Sequence, residues 1–207
     1  MKTLLISYLP GGEMSNTKKL YDYFESIVSN TTIEHLDLLK DSPQFFTHES
    51  LMAYYSRNYM NKPINDSQKI MLSKMDRYVN QIKDADIVVM AYPMHNFGMP
   101  GIVKTWFDSI IAKGETFEYG ATGPVGLLKN KKALTLYTSG GTYSKEKVTL
   151  NFPELDTLSL LSKIEFSFIG FEQVEVISAS TANAATLDEN IKNAQDQIKT
   201  IVDKWYK

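Results

Sequence analysis

One apolar run in the middle of the chain limits the possible folds more than any other feature. Residues 87–91, with the sequence IVVMA, are apolar at every position. A strand exposed on one face alternates apolar and polar residues, whereas a continuous run is typical of a strand covered on both faces. Sheets of that kind are mostly parallel and carry helices on either side. The run therefore predicts an α/β fold built around this strand.

Strand-like and helix-like patterns alternate on both sides of this run. Shorter strand patterns lie at residues 4–9, 33–38, 133–138 and 174–177. Patterns with helical spacing of apolar residues lie at 20–28, 71–82, 100–112, 155–168 and 187–205. We expect Asp66 to cap the second of these helices. Five strands separated by helices imply a parallel sheet with helices on both faces.

The length and composition of the chain favour one domain. Its 207 residues fit a single domain of generous size, and 43 % apolar residues supply a full core. We predict one domain over residues 1–207, with a hairpin-like excursion at 114–132. Residues 40–65 lack a clean period and are rich in aromatic side chains. We interpret them as an insertion that either covers a site or packs on a partner, or else forms a satellite core.

Composition also excludes several classes of protein. A formal net charge of −2 argues against non-specific nucleic-acid binding and against a small acidic electron carrier. The absence of cysteine excludes disulfides and thiolate chemistry, and the three histidines show no metal-ligand spacing, so we expect no metal site. No apolar stretch is long enough for a bilayer span. We therefore expect a cytoplasmic protein that does not enter the membrane.

Three loops follow the first, third and fourth strands of the predicted sheet. Ligands of parallel sheets bind beyond the carboxyl ends of the strands, where the strand order reverses. The loops have the sequences PGGEMSNT at 10–17, YPMHNFGMP at 92–100 and TSGGTYSKEK at 138–147. We expect them to meet at one edge of the sheet and to form the binding site.

The first loop ends with Ser15, Asn16 and Thr17 at an expected helix N-terminus. It contains neither the G-x-G-x-x-G pattern of dinucleotide sites nor the P-loop pattern. The free N–H groups and the helix dipole attract a phosphate there, and the three side chains add hydrogen-bond donors. The same residue types are common helix caps, so simple capping is the alternative.

The other two loops also allow two interpretations. His95 and Asn96 lie between the central strand and a helix that Pro100 is expected to open. A lone histidine is often structural and an asparagine often forms a turn, but the position of this loop favours contact with a ligand. Gly140 and Gly141 permit either a plain turn or a close approach of the backbone to a ligand.

Two long blocks of sequence resemble one enzyme family. The block at residues 93–110 is PMHNFGMPGIVKTWFDSI, which resembles P-M-[YH]-N-F followed by L-K-x-[WY]-[FIL]-D. The block at 114–134 is GETFEYGATGPVGLLKNKKAL, which is similar to G-x-T-F-x-Y…G-P-x-G-L…K-K-A, and TSGG at 138–141 lies where the family has S-x-G-G. Over essentially its whole length the chain resembles the flavodoxin-like FMN-dependent NADH:quinone oxidoreductases and azoreductases. The resemblance implies a five-stranded parallel sheet of order 2-1-3-4-5.

The resemblance also implies which residues hold FMN. The first loop would hold the phosphate, the second would run along the isoalloxazine ring, and the third would supply the other ring edge. The implied residues are Ser15, Asn16, Thr17, Met94, His95, Asn96, Phe97, Tyr119, Thr138, Ser139, Gly140 and Gly141. The chain has Tyr8 and Leu9 where the family commonly has a serine, so the resemblance does not imply the phosphate or ribityl contact of that serine here.

The activity implied by the resemblance is a two-electron reduction of quinones and azo compounds through bound FMN. NADH or NADPH would reduce the flavin and leave before the acceptor enters, in a ping-pong sequence. His95 is the candidate proton donor, because its charge is tunable near neutral pH. The family forms homodimers with flavin sites at the interface. The alternatives are a flavodoxin-type electron carrier and a flavin-binding sensor without turnover.

Overall fold

Five parallel strands form the central sheet, and an antiparallel hairpin lies beside it. The computed structural model of the protein describes residues 1–141, 143 and 156–207. The strands are β1 (Lys2–Ser7), β2 (Thr32–Asp37), β3 (Ile87–Pro93), β4 (Phe117–Gly120), β5 (Gly123–Gly126), β6 (Lys132–Ser139) and β7 (Gln173–Ser180). The sheet has the order β2-β1-β3-β6-β7, with all neighbouring strands parallel. Counted within the sheet, this is the predicted order 2-1-3-4-5, which is confirmed.

Helices cover both faces of the sheet, as predicted. They are α1 (Asn16–Ile27), α2 (His48–Tyr54), α3 (Asp66–Asp84), α4 (Gly101–Ile110), α5 (Thr157–Phe168) and α6 (Leu187–Trp205). One core joins the sheet to α1 and α6, and the other joins it to α3, α4 and α5. Strand β3 contributes Val89 and Ala91 to the first core and Met90 and Tyr92 to the second. The continuous apolar run is thus buried on both sides.

Several element boundaries differ from the sequence prediction, among them those of β1, α3 and α5. Strand β1 begins and ends two residues earlier than expected, and the chain then turns through a short 3-10 helix at Gly12–Met14. The cap of α3 is Asn65 instead of Asp66, because Asn65 and Gln68 exchange two hydrogen bonds of 2.9 and 3.0 Å. Helix α5 begins at Thr157, and Leu155, where we expected it to begin, lies outside the described residues.

The segment at residues 40–65 is more regular than its sequence indicates. It contains α2 and a five-residue π-helical turn, Tyr55–Tyr59. Tyr54 is buried in a third cluster with Leu72 and Met75 of α3, so a satellite core is part of its role. Phe45, by contrast, is 77 % exposed. The seven residues of α2 span only two helical turns, which is too short for a period to be recognised.

The excursion at residues 114–132 forms the antiparallel hairpin β4–β5, as predicted. The hairpin touches the turn between α5 and β7, where the Leu128 N–H donates to the Ile169 carbonyl at 2.9 Å. Gly126 and Gly170 meet there, and a Cβ on Gly126 would lie 2.2 Å from the Gly170 nitrogen. The residues that the structure describes contain no helix with the length and apolar character of a membrane span.

One buried carboxyl predicts a pH dependence of stability. Glu165 of α5 is 6 % exposed, and its carboxylate lies 3.4 Å from the Lys104 ammonium of α4. Burial raises the pKa of Glu165, and Lys104 offsets part of this rise. Because the folded-state pKa is the higher one, the unfolded chain loses its proton first. The free energy of unfolding therefore falls as the pH rises from about 4, the ordinary value, through the folded-state pKa.

Glu165→Gln should remove this dependence. We expect the variant and the wild type to have similar unfolding midpoints in denaturant at low pH, with the variant gaining relative stability as the pH approaches 7. Glu172→Gln is the control, because Glu172 is exposed. A constant difference between Glu165→Gln and wild type across this pH range would contradict the assignment.

Candidate active site

Three loops meet at the edge where β1, β3 and β6 end. The Met94 N–H after β3 donates to the Thr138 carbonyl of β6 at 2.8 Å. The Thr138 hydroxyl lies 2.6 Å from the hydroxyl of Thr17 in α1, and this pair is buried. The ring of Tyr8, after β1, packs edge-on against His95 with 5.8 Å between ring centroids. These three contacts join the predicted loops into one continuous surface.

The N-terminus of α1 has the features of an anion site. Ser15 is the N-cap, and its hydroxyl accepts from the Lys18 N–H at 3.3 Å. The first turn of α1 carries no acidic residue. The N–H groups of Asn16 and Thr17 belong to the first turn, where a helix offers no partner of its own. Capping and anion attraction are therefore compatible here, because they use different N–H groups.

Lys18 is held away from a role as phosphate ligand. Its ammonium lies 2.7 Å from the Asp22 carboxylate and 3.5 Å from that of Glu13. The hydrogen bond to Asp22 is the largest cause that raises the pKa of Lys18. An anion at this N-terminus would therefore meet backbone N–H groups and the Ser15 hydroxyl, without a free ammonium from Lys18.

The loop after β3 forms a tight turn with two left-handed residues. The His95 N–H donates to the Gly98 carbonyl at 2.9 Å, and the Gly98 N–H donates back at 3.0 Å. Asn96 and Phe97 between them have φ values of +46° and +68°. Turns with positive φ at both central residues favour asparagine and glycine, so Asn96 fits and Phe97 does not. His95, Asn96 and Phe97 are all exposed.

The described start of the loop after β6 is fixed by hydrogen bonds at Ser139. The Ser139 hydroxyl donates to the Gly141 carbonyl at 2.8 Å, and Thr181 donates to the Ser139 carbonyl through both its N–H and its hydroxyl. A Cβ on Gly140 would meet nothing within 4 Å, whereas one on Gly141 would lie 2.9 Å from the Tyr143 hydroxyl. Gly140 therefore presents bare backbone to the space beside the turn.

Tyr119 is placed apart from the three loops. It lies in β4, where its ring packs edge-on against Phe117 at 5.7 Å, and it is 57 % exposed. Burial is the largest cause that raises the pKa of Tyr59, and the neighbouring Tyr54 and Tyr119 raise it further. Tyr119 thus joins the tyrosines of the 40–65 segment. Its contact with the cofactor stays a prediction.

Sequence reasoning missed Thr157, which contacts the turn directly. The Thr157 hydroxyl donates to the Phe97 carbonyl at 2.5 Å, across 60 residues of chain. Thr157 is the first residue of α5 and therefore resembles an ordinary helix start in the sequence. Tyr143 was also missed, and its ring packs edge-on against Phe97 at 6.4 Å. Tyr143 lies in the loop at 138–147 that was expected to meet the Phe97 loop, whereas no local signal indicates the contact of Thr157.

The chain matches known proteins along nearly its whole length. A profile described as "Flavodoxin-like fold" matches residues 1–202. The FMN-dependent NADH:quinone oxidoreductase of Alteromonas mediterranea is 33 % identical over 203 residues, which cover 93 % of this chain and 96 % of that protein. The chain belongs to this flavodoxin-like family. A relative with the same printed function from Bacillus cereus is 28 % identical and aligns over 96 % of the chain and 95 % of its own length.

Solved structures of this family have the same architecture. An FMN-dependent NADH-azoreductase from Bacillus anthracis str. Ames Ancestor, solved in complex with FMN, superposes with a TM-score of 0.85. It is 26 % identical, and the match covers 100 % of this chain and 99 % of that one. A second azoreductase, from Bacillus anthracis str. Sterne, has a TM-score of 0.88 at 23 % identity, with 99 % and 100 % coverage. The second likeness supports the fold alone.

Proposed function

We propose that this protein is an FMN-dependent oxidoreductase that uses NADH, or NADPH, for the two-electron reduction of quinones and azo compounds. The observation that carries the proposal is the continuous surface formed by the Tyr8–His95, Met94–Thr138 and Thr17–Thr138 contacts. It lies at the strand ends where ligands of this fold class bind. The names of the full-length relatives support an enzyme over an electron carrier or a sensor.

The residues of this surface fit the chemistry of FMN. A phosphate suits the N-terminus of α1, where Asn16 and Thr17 offer backbone N–H groups and Ser15 offers a hydroxyl, without a competing carboxylate in the first turn. The buried Thr17 hydroxyl is instead paired with that of Thr138. The flat isoalloxazine ring of FMN suits the turn at residues 94–97. This turn offers the Asn96 side-chain amide, the Phe97 ring and backbone N–H donors. The bare backbone at Gly140 suits the other ring edge, with Thr138 and Ser139 before it and Gly141 after it.

When bound, FMN would supply the hydride chemistry, and the protein would bind, orient and exclude water. The turn at residues 95–98 and the glycine loop would place backbone N–H groups where negative charge develops. No side-chain nucleophile is required. His95, exposed at the rim and packed on Tyr8, would supply a proton to the acceptor.

The proposal extends to assembly and location. The 40–65 segment and Tyr119 form a cluster of partly exposed aromatic rings. Tyr55 is 37 % exposed and Tyr59 is 39 % exposed, and their rings contact each other. We propose that the protein is a homodimer with flavin at the interface and that this cluster contributes to it. We also propose a cytoplasmic location, where NADH is regenerated.

The central test is cofactor content followed by turnover. We expect purified protein, incubated with FMN and desalted, to be yellow and to release FMN on denaturation. Anaerobic NADH should bleach the flavin, and a quinone should restore its colour over many cycles. Flavin that NADH cannot reduce would indicate a carrier, and reduction without transfer to any acceptor would indicate a sensor. Protein that neither carries nor binds FMN would overturn the whole proposal.

His95→Gln tests the role of the histidine. General acids contribute about 10²–10⁴-fold, so we expect the rate of quinone reduction to fall by at least roughly 100-fold. His35→Gln is the matched control, because His35 is exposed in β2 and lies outside both the three loops and the 40–65 segment. An unchanged rate of quinone reduction in His95→Gln would remove the histidine from the chemistry and leave it only the contact with Tyr8.

A further inference from the structure

The turn at residues 95–98 holds a bulky residue in a conformation that such residues avoid. Phe97 has a φ of +68°, in the left-handed region where an aromatic side chain is uncommon. Residues in this region persist only where the surrounding structure fixes them, and they cluster at ligand-binding sites. A glycine at position 97 would adopt the conformation without strain. The phenylalanine side chain therefore needs an explanation.

Core packing does not provide this explanation. Phe97 is 48 % exposed, and its ring packs edge-on against Tyr143 with 6.4 Å between the ring centroids. A strained backbone that leaves a large apolar ring in solvent gains little in the free protein. A ligand that binds the Phe97 ring and the adjacent N–H groups would explain both the left-handed backbone and the exposed ring.

A hydroxyl from a different element holds this turn. The Thr157 hydroxyl donates to the Phe97 carbonyl at 2.5 Å. Thr157 is itself well anchored, because the preceding residue, Asp156, accepts from the Ser159 N–H at 3.0 Å and from the Tyr137 hydroxyl at 2.8 Å. Tyr137 lies in β6 and is 1 % exposed. A chain of hydrogen bonds and one peptide bond thus connects the buried sheet to the Phe97 carbonyl.

We propose that Thr157 is a positioning residue for the FMN site. Its hydroxyl keeps the Phe97 peptide in the left-handed conformation, and this conformation directs the backbone N–H groups of the turn and the Phe97 ring towards the flavin. Thr157 acts through Phe97 and does not contact the cofactor. The inference rests on the proposed function, because the ligand of the turn is taken to be FMN.

The test compares Thr157→Val, which removes the hydroxyl, with Thr157→Ser, which retains it. In Thr157→Val we expect the FMN dissociation constant, measured by fluorescence titration, to rise roughly 3- to 10-fold, the usual effect of one hydrogen bond. The flavin midpoint potential should become more negative if the variant loses more affinity for reduced than for oxidised flavin. The shift is about 30 mV for each tenfold fall in the ratio of these two affinities. Thr157→Ser should restore both values.

Thr200→Val is the matched control, since the exposed Thr200 hydroxyl donates to the Asp196 carbonyl on α6, outside the three loops. It should leave the affinity and the potential unchanged. Wild-type affinity and potential in Thr157→Val would overturn the proposal. An equal loss in Thr157→Ser would also overturn it, because the hydroxyl would then not be the cause.

A further readout separates this inference from the proposed function. In the FMN-free protein, the three-bond N–H to Hα coupling of Phe97 reports its φ angle directly. We expect this coupling to change in Thr157→Val and to keep its wild-type value in Thr157→Ser. If wild-type protein binds no FMN, the proposed function fails, while the coupling still shows whether the hydroxyl holds the turn. An unchanged coupling in Thr157→Val would contradict the inference alone.

Discussion

Gly126→Ala is expected to lower the free energy of unfolding by about 3 kcal/mol, the upper range for overpacking a rigid site. The new Cβ would lie 2.2 Å from the Gly170 nitrogen and 2.3 Å from the Ile169 carbonyl carbon, both of them backbone atoms. Backbone cannot rotate away as a flexible side chain does, so the hairpin must separate from the turn after α5. Denaturant unfolding followed by circular dichroism measures the change.

Gly101→Ala is the matched control for this substitution. Gly101 begins α4, and a Cβ there would meet nothing within 4 Å. We expect its stability to remain the same or to rise by up to about 1 kcal/mol, because alanine favours the helix. A Gly126→Ala protein within about 0.5 kcal/mol of wild type would show that the two backbones separate easily.

The second large effect is expected at the buried hydroxyl pair of Thr17 and Thr138. Thr17→Val should lower the free energy of unfolding by about 1–3 kcal/mol, because it leaves the Thr138 hydroxyl buried without its partner. The two oxygens are 2.6 Å apart, and Thr17 is 0 % exposed. Thr138→Val should have a similar effect for the same reason. Thermal and chemical unfolding of the FMN-free proteins measures both.

A double-mutant cycle isolates the interaction between the two hydroxyls. The double variant, Thr17→Val with Thr138→Val, leaves neither hydroxyl unpaired, so its loss should be smaller than the sum by about 1–2 kcal/mol. Thr17→Ser retains the hydroxyl and serves as the control. Strictly additive losses would mean that the short contact contributes nothing, and that α1 and β6 are joined by packing alone.

The sequence was sufficient for the architecture because the decisive signal was long and continuous. The run from Ile87 to Ala91 is typical of a strand buried on both faces, and that implied parallel neighbours and two helical layers. The order of the strands then followed from the family resemblance. The short α2 escaped notice because seven residues do not repeat a helical period. Asn65 and Asp66 are both good caps, and only the position of Gln68 decides between them.

The site was predictable in outline but not in its supporting contacts. The loops were located by their place after strands, which is a consequence of topology. The contact from Thr157 to Phe97 depends on how α5 packs, and nothing near Thr157 in the sequence indicates it. Similarly, Tyr8 was recognised only as a departure from the family's serine, whereas the structure shows that its ring packs on His95.

Strand β3 has a consequence for the cooperativity of unfolding. Its alternate side chains belong to two cores, with Val89 in one and Met90 in the other, and it lies at the centre of the sheet. Neither helical layer can detach without exposing one side of this strand to water. We therefore expect the two layers to melt in a single transition, with the same midpoint whether Trp106 in one core or Trp205 in the other is the fluorescent probe.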